Sequence, residues 1–226
     1  MTQGKNFARL ARSVDRSKKD VGEHMERSTS ESILDAARSR LLSDGLANLS
    51  TRKVAVEAGV PLSQLHYHFG SKNGLILALL ETENQRRLER QRTMYAEEAP
   101  LWQRYERACD YLEEDLESGY VRVLQEMIAA GWAEPAVGAA VRALLSGWYE
   151  LLTRVLQEAV AAHGPLGPFT AEELATLIGN SFIGSEALLL LGFDRQTMPI
   201  RSALRRVGQL LRAWEGAPAE AKGNSR

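Results

Sequence analysis

The sequence is poor in features that would indicate secretion, a disulfide framework or a membrane. Its only cysteine, Cys109, cannot form an internal disulfide and is expected to be a small buried side chain. The longest strongly apolar run, at 187–193, is far short of the roughly 20 residues that a membrane helix requires. No apolar segment follows the basic N-terminus, so no secretory signal is indicated. We therefore expect a cytoplasmic protein that makes no contact with a membrane.

The sequence also lacks the spacings of a metal centre or a catalytic site. His66 and His68 are two residues apart on an expected helix, so they project about 200° from each other and cannot share an ion. His24 and His163 are isolated in the sequence. No nucleophile and base stand at a recognisable spacing, and there is no phosphate-binding loop. We expect no metal, no cofactor and no enzymatic activity.

The charge is distributed unevenly along the 226 residues, although the net charge is −1. Residues 1–75 hold 12 Lys and Arg against 8 Asp and Glu, whereas residues 76–226 hold 16 against 21. A basic head on an acidic body is typical of a polyanion-binding protein, although an excess this small also fits an ordinary solvated surface. Residues 1–27 contain seven basic side chains and few large apolar ones. They are predicted to form a flexible arm, which either lies along a DNA groove or remains a solvated tail.

Residues 28–75 have the pattern of three short helices. The first is expected to begin at Ser28, in a Ser-x-x-Glu capping box, and to end at Gly45 in a left-handed conformation. Ser50 is placed to cap the second helix, and Gly59 to turn the chain into the third. Two short helices joined by a tight glycine turn have the layout of a DNA-binding helix-turn-helix.

This segment resembles the DNA-binding domain of the TetR family of bacterial transcriptional regulators, over roughly residues 31–80. The matching features are, in order, Ile33-Leu-Asp-Ala-Ala, the Gly45 stop, Leu49-Ser-Thr-Arg-Lys-Val-Ala, Ala58-Gly-Val, Leu65-His-Tyr-His-Phe, and Ser71-Lys72 before an apolar helix. The resemblance implies an all-α protein with an N-terminal three-helix helix-turn-helix domain and a C-terminal helical ligand-binding and dimerisation domain. The expected divisions are a basic arm at 1–27, the DNA-binding domain at 28–75, the helical domain at 76–215 and a disordered tail at 216–226.

Position by position, the resemblance also implies the DNA contacts. The residues expected at the DNA backbone are Thr51, Arg52, Tyr67, His68 and Lys72, and those expected near base edges are Leu62, Ser63, Gln64 and His66. By chemistry, Gln64 suits adenine, Leu62 suits a thymine methyl group and His66 could donate to guanine. A surface Gln or His is about as often merely solvated.

Two departures from the family pattern lie in this segment. Gln64-Leu-His replaces a usual Thr-Leu-Tyr, which alters the surface that meets DNA and therefore the operator sequence. Gly74 stands where an acidic residue is common, at a loss in helix propensity of about 1 kcal/mol relative to alanine. Neither change removes an expected core residue.

From residue 72 onward the pattern predicts a succession of helices without a convincing strand. The interruptions are Ala99-Pro100, Ser118-Gly119, Glu134-Pro135, Gly164 to Pro168, and Gly192 to Pro199. The first helix is expected to run from about Ser71 to Ala96. Its arginines at 86, 87, 90 and 92 are expected to project from the core.

Aromatic residues are concentrated in this second part of the chain. They either fill the core or line a pocket, and the resemblance favours a pocket for a small effector. Glu126, Asn180 and Glu186 are polar residues within apolar helices, where they would orient a ligand or pair with protein neighbours. The candidate ligand-binding residues are Trp102, Tyr105, Glu126, Met127, Trp148, Tyr149, Phe182 and Glu186.

The last two helices, at 170–191 and 199–214, are expected to form a homodimer interface. Small residues on the first of them (Gly179, Ser181, Gly184, Ser185 and Ala187) would let another helix approach, and 188–191 would otherwise be an exposed apolar patch. The family pairs these helices between subunits, and one helix-turn-helix alone contacts few bases. The expected function is a ligand-responsive transcriptional regulator, a repressor released from its operator by a small, largely apolar or aromatic effector. The alternatives are a helical adaptor that binds protein and, less favoured, an all-helical enzyme.

Overall fold

The computed structural model describes residues 29–193 and 195–216, and within these ranges the chain is all-α, as predicted. It forms α1 at 29–48, α2 Thr51–Glu57, α3 Leu62–Phe69, α4 Lys72–Tyr95, α5 Leu101–Glu117, α6 Tyr120–Ala133, α7 Pro135–His163, α8 Ala171–Leu190 and α9 Ile200–Gly216. The chain divides into two compact units between Leu79 and Leu80. The expected arm, the capping box at Ser28 and the tail beyond Gly216 lie outside the described residues. No described helix has the length and apolar character needed to cross a membrane.

The first unit has a small core to which each of its helices contributes. Its fully buried side chains include Ile33 and Leu41 of α1, Val54 of α2, Leu65 of α3 and Leu75 of α4. In each short helix these residues occupy one face, because residues three or four apart lie on the same side of a helix. This packing fixes the rotation of α3 and directs its other face outward.

One expected helix boundary in this unit needs adjustment, and one expected cap lacks its hydrogen bond. Gly45 has φ 75°, as predicted, but the helical span continues to residue 48. The extra turn is held by the Asn48 side chain, which donates to the Asp44 carbonyl at 3.1 Å. Ser50 occupies the N-cap position of α2 without a side-chain hydrogen bond to the helix. Gly59 makes the predicted turn with φ 68°.

Close packing requires glycine at position 74, a requirement that helix propensity does not reveal. Gly74 lies in the first turn of α4, where its amide donates to Ser71 Oγ at 3.1 Å. A Cβ at this position would overlap the carbonyl oxygen of Phe69 and lie 3.2 Å from the carbonyl carbon. The end of α3 and the start of α4 therefore approach more closely than any other residue would permit.

The second unit packs α5 against α9, and α7 against both α6 and α8. Tyr105 of α5 is buried and donates its hydroxyl to the Leu204 carbonyl of α9 at 3.0 Å. Gly179 of α8 lies against Tyr149 of α7, since a Cβ there would be 2.8 Å from the ring Cζ. Gly179 is thus used inside the chain and is not free for a second subunit, contrary to expectation.

The four arginines of α4 do not all project from the core, so that prediction was wrong for two of them. Arg86 and Arg92 are exposed. Arg87 is only 14% exposed and pairs with Asp115 of α5. Arg90 donates to both carboxylate oxygens of Asp115 at 2.8 Å. These two partly buried arginines are three residues apart, so they share the helix face that meets α5.

Helices α8 and α9 begin and end within two residues of the predicted bounds. The capping box at the start of α8 is confirmed in both directions, with Glu173 N 3.2 Å from Thr170 Oγ1 and Thr170 N 2.9 Å from Glu173 Oε2. The expected apolar patch at 188–191 is only half as large as predicted. Its first two leucines pack against the core, whereas Leu190 and Leu191 are exposed.

Candidate nucleic-acid interface and ligand cavity

The outer face of α3 carries the side chains predicted to meet base edges. Leu65 is fully buried, which leaves Ser63, Gln64 and His66 exposed and Leu62 partly buried. Tyr67 is 74% exposed. The rotation of α3 therefore presents a polar, hydrogen-bonding surface, the kind that can enter a DNA groove.

His66 has a fixed orientation, which determines what it can recognise. Its Nδ1 lies 3.1 Å from the carbonyl oxygen of Gly70 at the end of α3. A carbonyl only accepts, so Nδ1 carries the hydrogen and the neutral ring leaves Nε2 as an acceptor. That acceptor suits the amino group of adenine or cytosine. Donation to guanine, the expected contact, would require the protonated ring.

The residues predicted to meet the DNA backbone differ in how available they are. Arg52 is exposed in the first turn of α2, beside the partly buried Thr51. His68 is partly buried and lies edge-on to the ring of Tyr67, with 5.2 Å between centroids. Lys72 is partly buried and donates to the Leu46 carbonyl at 3.1 Å, so it holds the end of α1 as well as offering charge.

The described part of the first unit is nearly neutral. Between residues 29 and 79 it has five Lys and Arg against four Asp and Glu. A hydrogen bond from Ser43 and the ammonium group of Lys53 at 3.2 Å hold the pKa of Asp44 below its usual value. Most of the basic excess of the N-terminal third therefore belongs to residues 1–28, outside the described ranges.

The second unit contains a cavity of about 60 Å³ bounded by five helices. Its walls are Asn84, Arg87, Leu88 and Gln91 from α4, Asp115 from α5, Tyr120 and Leu124 from α6, Leu144, Leu145 and Trp148 from α7, and Ile183 and Glu186 from α8. Of the eight candidate ligand-binding residues, the structure brings Trp148 and Glu186 together here.

The other six candidates lie outside this lining. Met127 is fully buried, and the ring of Phe182 stacks edge-on between Tyr105 and Trp148, with centroids 5.8 and 6.4 Å away. The remaining three make contacts elsewhere: Trp102 lies beneath Arg212, Glu126 pairs with Arg122 at 3.0 Å, and Tyr149 donates to Asn180 at 2.7 Å.

The side chains that α4 contributes to the cavity were not predicted from the sequence. Asn84, Arg87, Leu88 and Gln91 follow the i, i+3, i+4, i+7 spacing of one helix face, which continues the buried stripe of Leu80. This spacing could have indicated that the face points into the second unit. The charge of the arginines led to the opposite conclusion, because an inward-facing arginine requires a partner whose position only the fold reveals.

Glu186 is the carboxylic acid with the most strongly raised pKa among the described residues of the second unit. Its side chain is partly buried, and its carboxyl group accepts from Gln125 Nε2 at 3.2 Å. Burial raises the pKa of Glu186 to about 8, and the hydrogen bond from Gln125 opposes that rise. The carboxyl group therefore keeps its proton at neutral pH.

Comparison with known proteins identifies a family for the first unit and solved structures that share the fold. Residues 33–79 match the family model of the bacterial regulatory proteins of the tetR family. The match spans most of α1, α2, the turn, α3 and the beginning of α4, so it agrees with the resemblance inferred from the sequence. No match to a protein of curated function was found.

Solved structures of transcriptional regulators share the fold over 80–83% of this chain. A TetR-family regulator from Agrobacterium tumefaciens is 20% identical with a TM-score of 0.69, over 83% of this chain and 98% of that one. FadR from Bacillus subtilis, in complex with stearoyl-CoA, is 15% identical with a TM-score of 0.67, over 80% and 96%. A regulator from Saccharomonospora viridis, in complex with choline, is 21% identical with a TM-score of 0.65, over 80% and 93%.

Proposed function

We propose that this chain is a ligand-responsive repressor of transcription, because residues 33–79 belong to the tetR family of bacterial regulatory proteins. It binds an operator as a homodimer and releases it when a small, largely apolar or aromatic effector occupies the second unit. The observation that carries this proposal is the helix-turn-helix itself. Leu65 of α3 is buried in the core while Gln64 and His66 of the same helix face outward.

The cavity of the second unit supports the effector role. Its lining has five aliphatic side chains, two aromatic rings and five polar or charged side chains, so it offers both apolar surface and groups that can orient a small molecule. Two regulators of the same fold were solved with stearoyl-CoA and with choline, so the fold accommodates ligands of different chemistry.

Helix α4 offers a physical link between ligand and DNA. It begins at Lys72 in the first unit, and further along it supplies Arg87 and Gln91 to the cavity. A ligand that competes for Asp115 or for Gln91 would displace this helix. Since binding free energies are reciprocal, DNA must then weaken ligand binding by the same factor as the ligand weakens DNA binding.

The homodimer is supported by exposed apolar side chains on the last two helices. Leu177 and Gly184 of α8 and Leu191 at its C-terminal cap are spaced seven residues apart and lie along one face. A Cβ at Gly184 would meet no atom within 4 Å. On α9, Leu210 is 67% exposed. Charged substitutions at Leu177 and Leu210 are expected to give monomers in sedimentation experiments.

The exposed α3 face also permits an adaptor that binds protein in place of DNA. Ionic strength separates the two, because DNA affinity falls steeply between 50 and 200 mM salt as counterions are released. The enzyme alternative has no specific observation in its favour. Among the described residues, Glu186 is the carboxylic acid with a strongly raised pKa. Its hydrogen-bond partner is the amide of Gln125, and no nucleophile lies beside it.

The deciding experiment is a gel shift of the full chain on DNA selected from genomic fragments. Gln64→Ala is expected to change preference at one base pair, whereas Arg52→Gln should weaken binding to every sequence. Lys72→Gln should also weaken all sequences and, because it loses the bond to Leu46, lower the stability of the first unit. A Gln64→Ala protein with equal losses on all sequences would remove the base-contact role. Absence of DNA binding by the wild-type chain would reject the proposal.

A further inference from the structure

Glu186 is a partly buried acid in the lining of the cavity. Among the described residues its carboxyl group forms no ion pair, and its hydrogen-bond partner is the neutral amide of Gln125. Burial of a carboxylate without a counter-charge is strongly unfavourable, so an acid in this setting is either kept neutral or meets a cation brought by a ligand.

The charged groups around Glu186 are already occupied with one another. Arg87 of α4 pairs with Asp115 of α5 and lies 3.8 Å from Glu83. Asp115 also binds Arg90. The positive charge of Arg87 opposes the rise in the pKa of Glu186, but Arg87 forms its ion pairs with Asp115 and Glu83 and not with Glu186.

The remaining elements packed around Glu186 add no positive charge. Tyr120 of α6 and Tyr149 of α7 are the titratable groups that face it, and burial raises the pKa of both. No residue of α9 lines the cavity. In the cavity lining, Arg87 and Asp115 therefore pair with each other, whereas Glu186 has no ion-pair partner among the described residues.

An aromatic wall stands in the same cavity. Trp148 of α7 donates its Nε1 hydrogen to Gln91 Oε1 at 2.6 Å, which fixes the indole plane. One face of the Tyr120 ring is covered by the Arg87 guanidinium at 3.4 Å. Trp148 is the other aromatic ring of the lining, and Tyr149 and Phe182 pack against it with centroids 5.4 and 6.4 Å away. Indole faces attract cations through the ring quadrupole.

We propose that the cavity takes a small organic cation, an amine or a quaternary ammonium group, whose charge pairs with Glu186 and whose apolar part lies against Trp148. This inference rests on the proposed function, because it names the class of effector for the same cavity. The volume of about 60 Å³ limits the charged head to a few non-hydrogen atoms.

Cation binding at this site is linked to proton release. The carboxyl group is protonated below its pKa of about 8, so a cation must expel that proton before pairing with the carboxylate. Affinity therefore rises with pH below 8 and levels off above it. Between pH 6 and pH 9 the ionised fraction, and with it the affinity, increases by about a hundredfold.

The test is calorimetric titration of the full chain with tetramethylammonium chloride at pH 6, 7.5 and 9. Equal sodium chloride controls for ionic strength, tert-butanol serves as a neutral ligand of similar size, and pivalate as an anionic one. Glu186→Gln keeps the shape of the side chain and removes its charge. Glu158→Gln removes a charge from an exposed site on α7 and serves as the matched control.

We expect wild type and Glu158→Gln to bind tetramethylammonium more tightly at pH 9 than at pH 6, with proton release measured in buffers of different ionisation enthalpy. Glu186→Gln should bind it weakly at all three values of pH. Affinity that is independent of pH, equal affinity in Glu186→Gln, tighter binding of pivalate or tert-butanol, or no binding of tetramethylammonium would each overturn the proposal. DNA binding without ligand, measured separately by gel shift, shows whether the proposed function fails as well.

Discussion

Replacing Glu186 by glutamine should stabilise the protein, and by an amount that depends on pH. In the folded chain burial raises the pKa of Glu186 from 4.5 to about 8. Between these values the unfolded chain has released the proton while the folded chain retains it. The unfolded state therefore binds fewer protons, and the free energy of unfolding falls as pH rises from about 4.5 to about 8.

The size of the effect follows from the shift. At about 1.4 kcal/mol per pKa unit, the carboxyl group destabilises the fold by about 3 kcal/mol at pH 7 and by about 5 kcal/mol at pH 9, but by less than about 1 kcal/mol at pH 5. Glutamine does not ionise, occupies nearly the same volume and can still hydrogen-bond to Gln125. The free energy of unfolding of Glu186→Gln should therefore exceed that of wild type by most of these amounts.

Urea unfolding followed by tryptophan fluorescence measures this directly, because all four tryptophans belong to residues 80–226. Glu158→Gln should change stability by no more than about 0.5 kcal/mol at any pH, as is usual for an exposed site. A Glu186→Gln protein that is less stable than wild type at pH 9 would refute the reasoning. So would a difference between the two that is the same at pH 5 and pH 9.

Two further predictions concern packing. Gly74→Ala forces a Cβ against the Phe69 carbonyl, so we expect a loss of about 1–3 kcal/mol by overpacking and weaker binding to every DNA sequence, measured by thermal unfolding and gel shift. Gly147→Ala is the control: its Cβ would lie 3.5 Å from Leu88, and stability should be unchanged or higher by up to about 1 kcal/mol. Cys109 is buried with its pKa raised to about 11, so a thiol reagent should modify it slowly until urea unfolds the second unit. Rapid modification of the native chain would contradict its burial.

The helix pattern was predictable because local chemistry marks it. Gly59 and Gly119 adopt positive φ at turns that the sequence predicts, and the Thr170 capping box forms as expected. The outward face of α3 was also predictable, since the position of Leu65 fixes the rotation of the helix. In these cases the determining contacts are within a few residues of one another in the chain.

The cavity was only partly predictable because its contacts join distant residues. Trp148 and Glu186 could be named as a ring and an acid within apolar helices. The burial of Arg87 and Arg90 depends on Asp115, which lies on another helix. The same holds for Gly74, because glycine is required there by the Phe69 carbonyl, which lies close to it across a turn. A sequence pattern indicates which face of a helix is buried, but it does not indicate which partner stands opposite.

The most direct test of the central claim is footprinting of the full chain on the genomic fragments it selects. We predict a protected site with two-fold symmetry, whose half-sites lie a whole number of DNA turns apart. Protection should be lost in Arg52→Gln at a concentration that saturates the wild type. Absence of any protected site, or an equal footprint for Arg52→Gln, would contradict a DNA-binding role for the helix-turn-helix.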